Sequence, residues 1–171
     1  MLNYNHVKSK GFILIILSAD IGSRNFAHSI LNFDEEQKTF TLVKSVYTHL
    51  AADKIGDRLL VLQKRLEKDV EDHLVDLILF ENSKFSGKFA QDLNFVCGIM
   101  HLVAATYNLP IKWMSPTALK KGITGVGTAG KKEVDDAVKN YLTNPPARFE
   151  TNHESDAAAL GVAYCLKEYF K

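Results

Sequence analysis

A chain of 171 residues, 46% hydrophobic and 24% charged, is long enough for a substantial core and ordinary in composition for a globular protein, and its net charge of +1 says nothing by itself about partners. No apolar run approaches the ~20 residues of a membrane span, and both cysteines, Cys97 and Cys165, sit in apolar helix-like stretches as reduced core thiols do. The expectation is one α/β domain over residues 1–171, in a cytoplasmic, intracellular protein away from membranes.

Residues 1–10 are polar and unpatterned and read as a loose tail. Lys8 and Lys10 ahead of the apolar run resemble a signal peptide only faintly, since the cut would fall beside Asp20. Phe12–Ala19 is a short continuous apolar run, the pattern of a strand buried on both faces. It runs into Asp20-Ile-Gly22, where Gly22 permits a sharp turn or a close backbone approach. Asn25–Phe33 and Lys38–Tyr47 read as further strands, joined by the turn Asp34–Gln37. Phe40, Leu42 and Val46 mark the apolar side of the third. Three strands in succession predict an antiparallel meander.

Over Ala52–His73 the period changes. Ile55, Leu59, Leu62, Leu66 and Val70 recur at three and four, an amphipathic helix whose charged face is expected to be solvated. Asp76–Glu81 is a second short buried strand and also ends on a carboxylate. A helix between the two strands predicts a parallel crossover, which brings Asp20 and Glu81 to the same edge of the sheet. Asn82–Lys88 is a polar loop. Phe89–Tyr107 is a helix containing Gly98, expected to pack closely against the sheet or another chain. Ile111–Met114 is a fifth strand. Ser115-Pro116 opens a short helix ending at Lys121. Gly122–Gly130 is a glycine-rich loop, Lys131–Leu142 a helix, Thr143–Thr151 a linker and Asn152–Tyr169 the last helix. The sheet is therefore mixed and five-stranded, with helices flanking it.

His153 and Asp156, three residues apart, share a helix face, and the small residues behind them allow close packing on a sheet. Asp20, Glu81, His153 and Asp156 thus form a candidate catalytic and metal-binding set. Clustered carboxylates repel and favour a cation. Oxygen donors without a cysteine or multi-histidine set point to Mg²⁺ or Mn²⁺. Two such ions suit phosphodiester hydrolysis. His153 suits Mn²⁺ better than Mg²⁺ as a ligand, and alternatively orients or deprotonates a water. Between residues 82 and 132 stand seven lysines, Lys84, Lys88, Lys112, Lys120, Lys121, Lys131 and Lys132, against one acid, Asp92. Lysines beside a carboxylate cluster suit nucleic-acid phosphates. Gly125-Val126-Gly127 lacks the Gly-Lys-Ser/Thr of a nucleoside-triphosphate cradle.

Four motifs together resemble the RuvC-type Holliday junction resolvases, which have an RNase H-like fold. They are Asp20-Ile-Gly-Ser-Arg24, Leu79-Phe-Glu81, Lys120-Lys-Gly-Ile-Thr-Gly-Val-Gly-Thr-Ala-Gly-Lys131 and His153-Glu-Ser-Asp156-Ala-Ala-Ala-Leu160. The resemblance implies a homodimeric, metal-dependent endonuclease that cuts opposed strands of a four-way DNA junction, leaving 5′-phosphate ends, in recombination and repair. It implies Asp20, Glu81 and Asp156 as ligands of Mg²⁺, with His153 where the family carries an acid or a histidine. Lys120 and Lys131 match basic residues near the scissile phosphate. Lys84, Lys88, Lys121, Lys132, Gly125 and Gly127 extend the expected DNA surface, with Phe85, or else Phe89, as the aromatic at the crossover. The loop after Glu81 looks shorter than in typical bacterial members. Alternatives are a broader branched-DNA nuclease and a non-catalytic junction-binding protein. Actin-like and sugar-kinase ATPases also place Asp-x-Gly after a first strand, but that fold needs two such domains.

Overall fold

Five strands and five helices appear among residues 11–81 and 90–170, which are the residues the computed structural model describes. The strands are β1 (Ile13–Asp20), β2 (Asn25–Asp34), β3 (Thr39–His49), β4 (Leu77–Glu81) and β5 (Ile111–Met114). The helices are α1 (Ile55–His73), α2 (Ala90–Thr106), α3 (Pro116–Thr124), α4 (Lys131–Tyr141) and α5 (Asn152–Tyr169). The sheet order is β3-β2-β1-β4-β5. The first three strands form the expected antiparallel meander, and β4 and β5 continue it in parallel. The register Ala19↔Phe80 sets the ends of β1 and β4 side by side, so Asp20 and Glu81 leave the sheet at one edge.

Two apolar layers cover the sheet. Helices α3, α4 and α5 lie over one face, where Ile16, Leu31, Phe33, Phe40 and Leu79 meet Val134, Leu160 and Val162. Helices α1 and α2 lie over the other, where Leu17, Ile30 and Ile78 meet Leu62, Leu66, Val96 and Met100. The small residues of α5 let it sit close: a Cβ on Gly161 would lie 2.5 Å from Leu31 Cδ1 and 3.1 Å from Ser18 Oγ. Gly22 answers to a backbone neighbour, because a Cβ there would fall 2.1 Å from the carbonyl oxygen of Asn25.

Several expectations change. The chain from Gly122 to Thr124 belongs to α3, so the glycine loop is shorter than expected; Gly122 is small because Ala163 of α5 crosses it, 3.1 Å from where its Cβ would be. Gly98 meets no neighbour within 4 Å, so it does not pack on the sheet. Cys165 is buried, whereas Cys97 is only half-buried. The charged face of α1 is not wholly solvated. Arg58 is buried and ion-paired to Asp92 at 2.8 Å, which ties α1 to α2.

Strand β3 departs most from simple alternation. Its register runs Leu31↔Leu42 and then Ile30↔Lys44, so Val43 is an extra residue, a bulge. Before it, Phe40 and Leu42 face the α5 side. After it the parity flips. Val46, opposite His28, falls on the α1 side and not with Phe40 and Leu42 as expected, while Ser45 and Tyr47 turn toward α5.

The flip also delivers Lys44 to a buried polar cluster. His28 Nε2 lies 2.6 Å from Asp69 Oδ2, and Lys44 Nζ lies 2.5 Å from Asp69 Oδ1. His28 and Asp69 are both buried. Burial pushes the Asp69 carboxyl up, but the hydrogen bonds from His28 and Lys44 outweigh it and bring the group from its ordinary 3.8 to about 2. A carboxyl lowered on folding contributes stability above its unfolded pKa and loses it as pH falls through the folded one. Wild type should therefore lose about 2 kcal/mol between pH ~4 and pH ~2 through this group. Asp69→Asn should flatten that limb in thermal melts followed by circular dichroism, and Asp69→Ala should cost about 3–5 kcal/mol at neutral pH. An unchanged acid limb in Asp69→Asn would show that the cluster does not govern it.

Candidate active site

Asp20 ends β1 and is held from behind by the apolar run that precedes it. Across from it, α5 begins with a capping box: Thr151 N–H donates to Glu154 Oε2 at 2.9 Å, and the Thr151 hydroxyl accepts from Glu154 N–H. Glu154 is thus spent on the cap and buried, while His153 and Asp156 stand on the face toward the sheet edge. The close seat of α5 on β1 brings His153 Nδ1 to 2.6 Å from Asp20 Oδ2. Since a carboxylate only accepts, Nδ1 donates, and Nε2 of the neutral ring is left as an acceptor.

Glu81 and Asp156 complete the set. Burial, then the charges of Asp20 and Asp156, raise the Glu81 carboxyl from its ordinary 4.5 to about 7, and Lys120 opposes the rise. Burial first and Asp20 second also raise Asp156, against Lys131, His153 and Lys120. His153 is raised chiefly by its hydrogen bond to Asp20. Burial is the larger cause of both carboxyl shifts and repulsion between neighbouring carboxylates the second, and both disfavour the charged forms in the absence of a cation. That donor set fits a divalent cation. Among the described residues, however, no three His, Cys, Asp or Glu side chains stand close enough together to hold an ion as placed. Asp20 Oδ2 is already engaged by His153, so binding an ion requires the side chains to turn inward.

The expected DNA-binding residues separate. Lys120 and Lys131 act electrostatically on the carboxyls. Lys121 instead lines a cleft between α3 and α5 with Met114 and Lys167, because it is one residue further around α3 than Lys120. Lys132 lies by the site but is bound to Asp136. Gly125 caps α3 at φ 80°, and a Cβ on Gly127 would lie 2.9 Å from Thr117 Cγ2, so both glycines have a structural cause. Lys84, Phe85, Lys88 and Phe89 lie outside the described residues.

Tyr47 is a further member of the site. Its ring stacks on that of His153, with centroids 6.1 Å apart and planes at 13°. Its hydroxyl donates to Asn25 Oδ1 at 2.8 Å, which fixes the ring at the sheet edge. The bulge at Val43 is what turns it to this side. Nothing in the alternation of β3 shows the bulge, and so nothing pointed to Tyr47.

A family model described as crossover junction endodeoxyribonuclease RuvC matches residues 16–165. A protein of that name from Ruminiclostridium cellulolyticum is 30% identical over 153 residues, which cover 88% of this chain and 91% of that protein. Another from Corynebacterium efficiens is 25% identical, over 90% of this chain and 70% of its own length. Among solved structures, Thermus thermophilus RuvC in complex with a Holliday junction substrate superposes with a TM-score of 0.83 at 16% identity, covering 92% of this chain and 96% of that one. The yeast mitochondrial Holliday junction resolvase Ydc2 gives 0.67 at 14% identity, over 95% and 84%. These structures share the mixed sheet with flanking helices.

The raised Glu81 carboxyl sets a sign for the metal-free protein. It ionises in the unfolded chain near 4.5 but in the folded one only near 7. Stability is therefore full below pH ~4.5 and declines as pH rises through 7. Glu81→Gln should match wild type near pH 4 and exceed it by about 2–3 kcal/mol above pH 8 in chelator. Equal melting of the two proteins at both pH values would remove Glu81 from the charged cluster.

Proposed function

Because the chain belongs to the RuvC family of crossover junction endodeoxyribonucleases, we propose that it resolves four-way DNA junctions by metal-dependent, paired phosphodiester hydrolysis in recombination and repair. The observation that carries the reading is the gathering of Asp20, Glu81, His153 and Asp156 at one sheet edge, with Asp20 in contact with His153 at 2.6 Å. In this reading Asp20, Glu81 and Asp156 hold two Mg²⁺ ions, for which Mn²⁺ substitutes. Bound there, the ions supply a Lewis acid for the scissile phosphate and lower the pKa of a water.

The chain's own residues do the rest. Asp20 orients His153 through Nδ1, and Tyr47 holds the plane of the ring. Nε2 is then directed toward incoming groups and accepts a proton, or joins the ligand set when Mn²⁺ is bound. Lys120 and Lys131 steady the phosphates beside the cut and offset the negative charge of the site. Lys132, beside the site, and the segment with Lys84, Phe85 and Lys88 extend the DNA contact, while Gly125 and Gly127 shape the turn after α3 and Lys121 faces the cleft between α3 and α5. The products carry 5′-phosphate and 3′-hydroxyl ends. In this reading the protein acts on intracellular DNA; no described helix is long and apolar enough to cross a membrane.

Paired cuts require two active sites, and α2 supplies a surface for a second copy. Phe95 and Leu102 are 42% and 48% exposed along it, with the open Gly98 between them, while Leu60 and Val61 of α1 are also exposed. A glycine facing outward in a helix interior costs about 1 kcal/mol relative to alanine, a cost that a close helix–helix crossing offsets. The Gly98 packing expected against another chain is kept in this form.

Asp20→Asn should bind a labelled four-way junction normally and cut it more than roughly 100-fold slower, since even partners behind a metal ligand cost 10–100-fold. Full cutting by that variant in Mg²⁺ would sink the assignment. Equal wild-type rates on four-way, three-way, flap and linear DNA would favour a broader nuclease, and binding without turnover a junction-binding protein. Wild type should sediment as a dimer and Leu102→Asp as a monomer; a monomeric wild type, with and without junction DNA, would reject paired cutting.

A further inference from the structure

Beside the carboxyl cluster a groove of about 640 Å³ opens between α4 and the segment of residues 143–151. His153 forms one end of it, so the groove is continuous with the site where Asp20 meets His153. Four cations line it: Lys131, Lys132, Lys139 and Arg148. They are not equivalent. Lys132 is bound to Asp136, and Lys139 to Asp135 at 2.7 Å. Lys139 also lies 5.8 Å from the ring centroid of the half-buried Phe149, which anchors it further. Lys131 and Arg148 form no ion pair among the described residues. The remaining acid of the lining, Glu150, is exposed and takes part in no ion pair among them.

Two unpaired cations thus stand on the two walls of an open channel that starts at the catalytic edge. Neither has a packing purpose. Lys131 lines the groove together with His153, and its charge also reaches Asp156 and His153. Arg148 is exposed and belongs to a segment with no regular structure; its guanidinium is suited to paired hydrogen bonds with phosphate oxygens. A DNA strand whose scissile phosphate lies at Asp20 must carry its neighbouring phosphates away from the site. The groove is a polar exit with cations on both sides.

We propose that this groove is a binding site for the sugar-phosphate backbone of the cut strand, with Arg148 and Lys131 holding phosphates that neighbour the scissile one. The proposal rests on the nuclease reading above and adds Arg148, with Lys139 and Phe149 as its supporting wall, to the DNA surface. Contacts of this kind position a strand without reading its bases. They fix which phosphate reaches the carboxyls.

The test is fluorescence anisotropy of the full chain with a labelled four-way junction and, separately, a labelled single strand, from 50 to 200 mM NaCl in chelator. Arg148→Ala should weaken binding about 5- to 10-fold at the lower salt. It should also reduce the slope of log affinity against log salt by about 0.9 on duplex arms and 0.7 on the single strand. Arg148→Lys should keep the slope and part of the affinity, because the charge remains. Lys68→Ala, a change on the outer face of α1, should match wild type. Melting by circular dichroism checks that every variant is folded. Arg148→Ala binding both DNAs with wild-type affinity and slope would overturn the proposal. A wild type that binds linear but not four-way DNA would overturn the junction reading and leave the Arg148 slope measurable. A wild type that binds neither overturns both. Competition by millimolar mononucleotide that disappears in Arg148→Ala, with DNA binding unchanged, would reassign the groove to a nucleotide and overturn the backbone proposal.

Discussion

Mutual repulsion among Asp20, Glu81 and Asp156 is the constraint that the rest of this structure serves. Left in water, three carboxylates would separate. Here Asp20 and Glu81 are fixed by adjacent parallel strands whose register leaves them no freedom to move apart. Asp156 is fixed by a helix seated so closely that Gly161 has no room for a Cβ. Burial first, and the charges of Asp20 and Asp156 second, raise Glu81 to about 7. Such a site is destabilised when empty, and a cation relieves it. The fold's stability must therefore come from elsewhere, and the two apolar layers supply it.

The second buried polar cluster answers a different need. His28, Asp69 and Lys44 lie under α1, on the opposite face of the sheet from the carboxyls. They are mutually satisfied apart from His28 Nδ1, which has no hydrogen-bond partner among the described residues. The two clusters share the β1–β2 pair: Ala19 is paired with His28, one residue before Asp20. The same stretch of ladder thus carries an internally neutralised polar group on one face and an over-charged one on the other.

Much of the site was legible in the sequence. Asp20 and Glu81 each follow a short apolar run, and the helical period between the two runs predicts the parallel crossover that sets both carboxylates at one edge. His153 and Asp156 are three apart at the start of a helix, so their common face follows from helical geometry. Tyr47, Asp69 and Arg148 were not legible, each for a separate reason. Tyr47 reaches His153 only because of a bulge, and a bulge leaves no mark on composition. Asp69 looks like one more charge on an amphipathic helix, and its partners are 41 and 25 residues away. Arg148 lies in a segment without periodicity, where only the position of α4 shows that it borders a groove. The strands and most helices followed from periodicity. Gly122 did not, because a glycine chosen to let α5 pass close to α3 looks the same as one chosen for a turn.

The bulge at Val43 also alters how β3 transmits information about its two ends. A strand is read in twos, and one added residue acts as a frameshift within it. Upstream, the letters from Thr39 to Leu42 spell core on the α5 side. Downstream, the same alternation spells ion pair on one side and active site on the other. Deleting Val43 would take out the bulge and leave each later residue on its present face, whereas deleting Ser45, beyond the bulge, would shift the pairing of all that follows by one. That second deletion would turn Val46 and Tyr47 to each other's faces in a single step, while changing the composition of the chain hardly at all. Point substitutions alter one side of such a strand at a time; a length change beyond the bulge inverts both sides at once. The edge strand is therefore tolerant of spelling and intolerant of spacing.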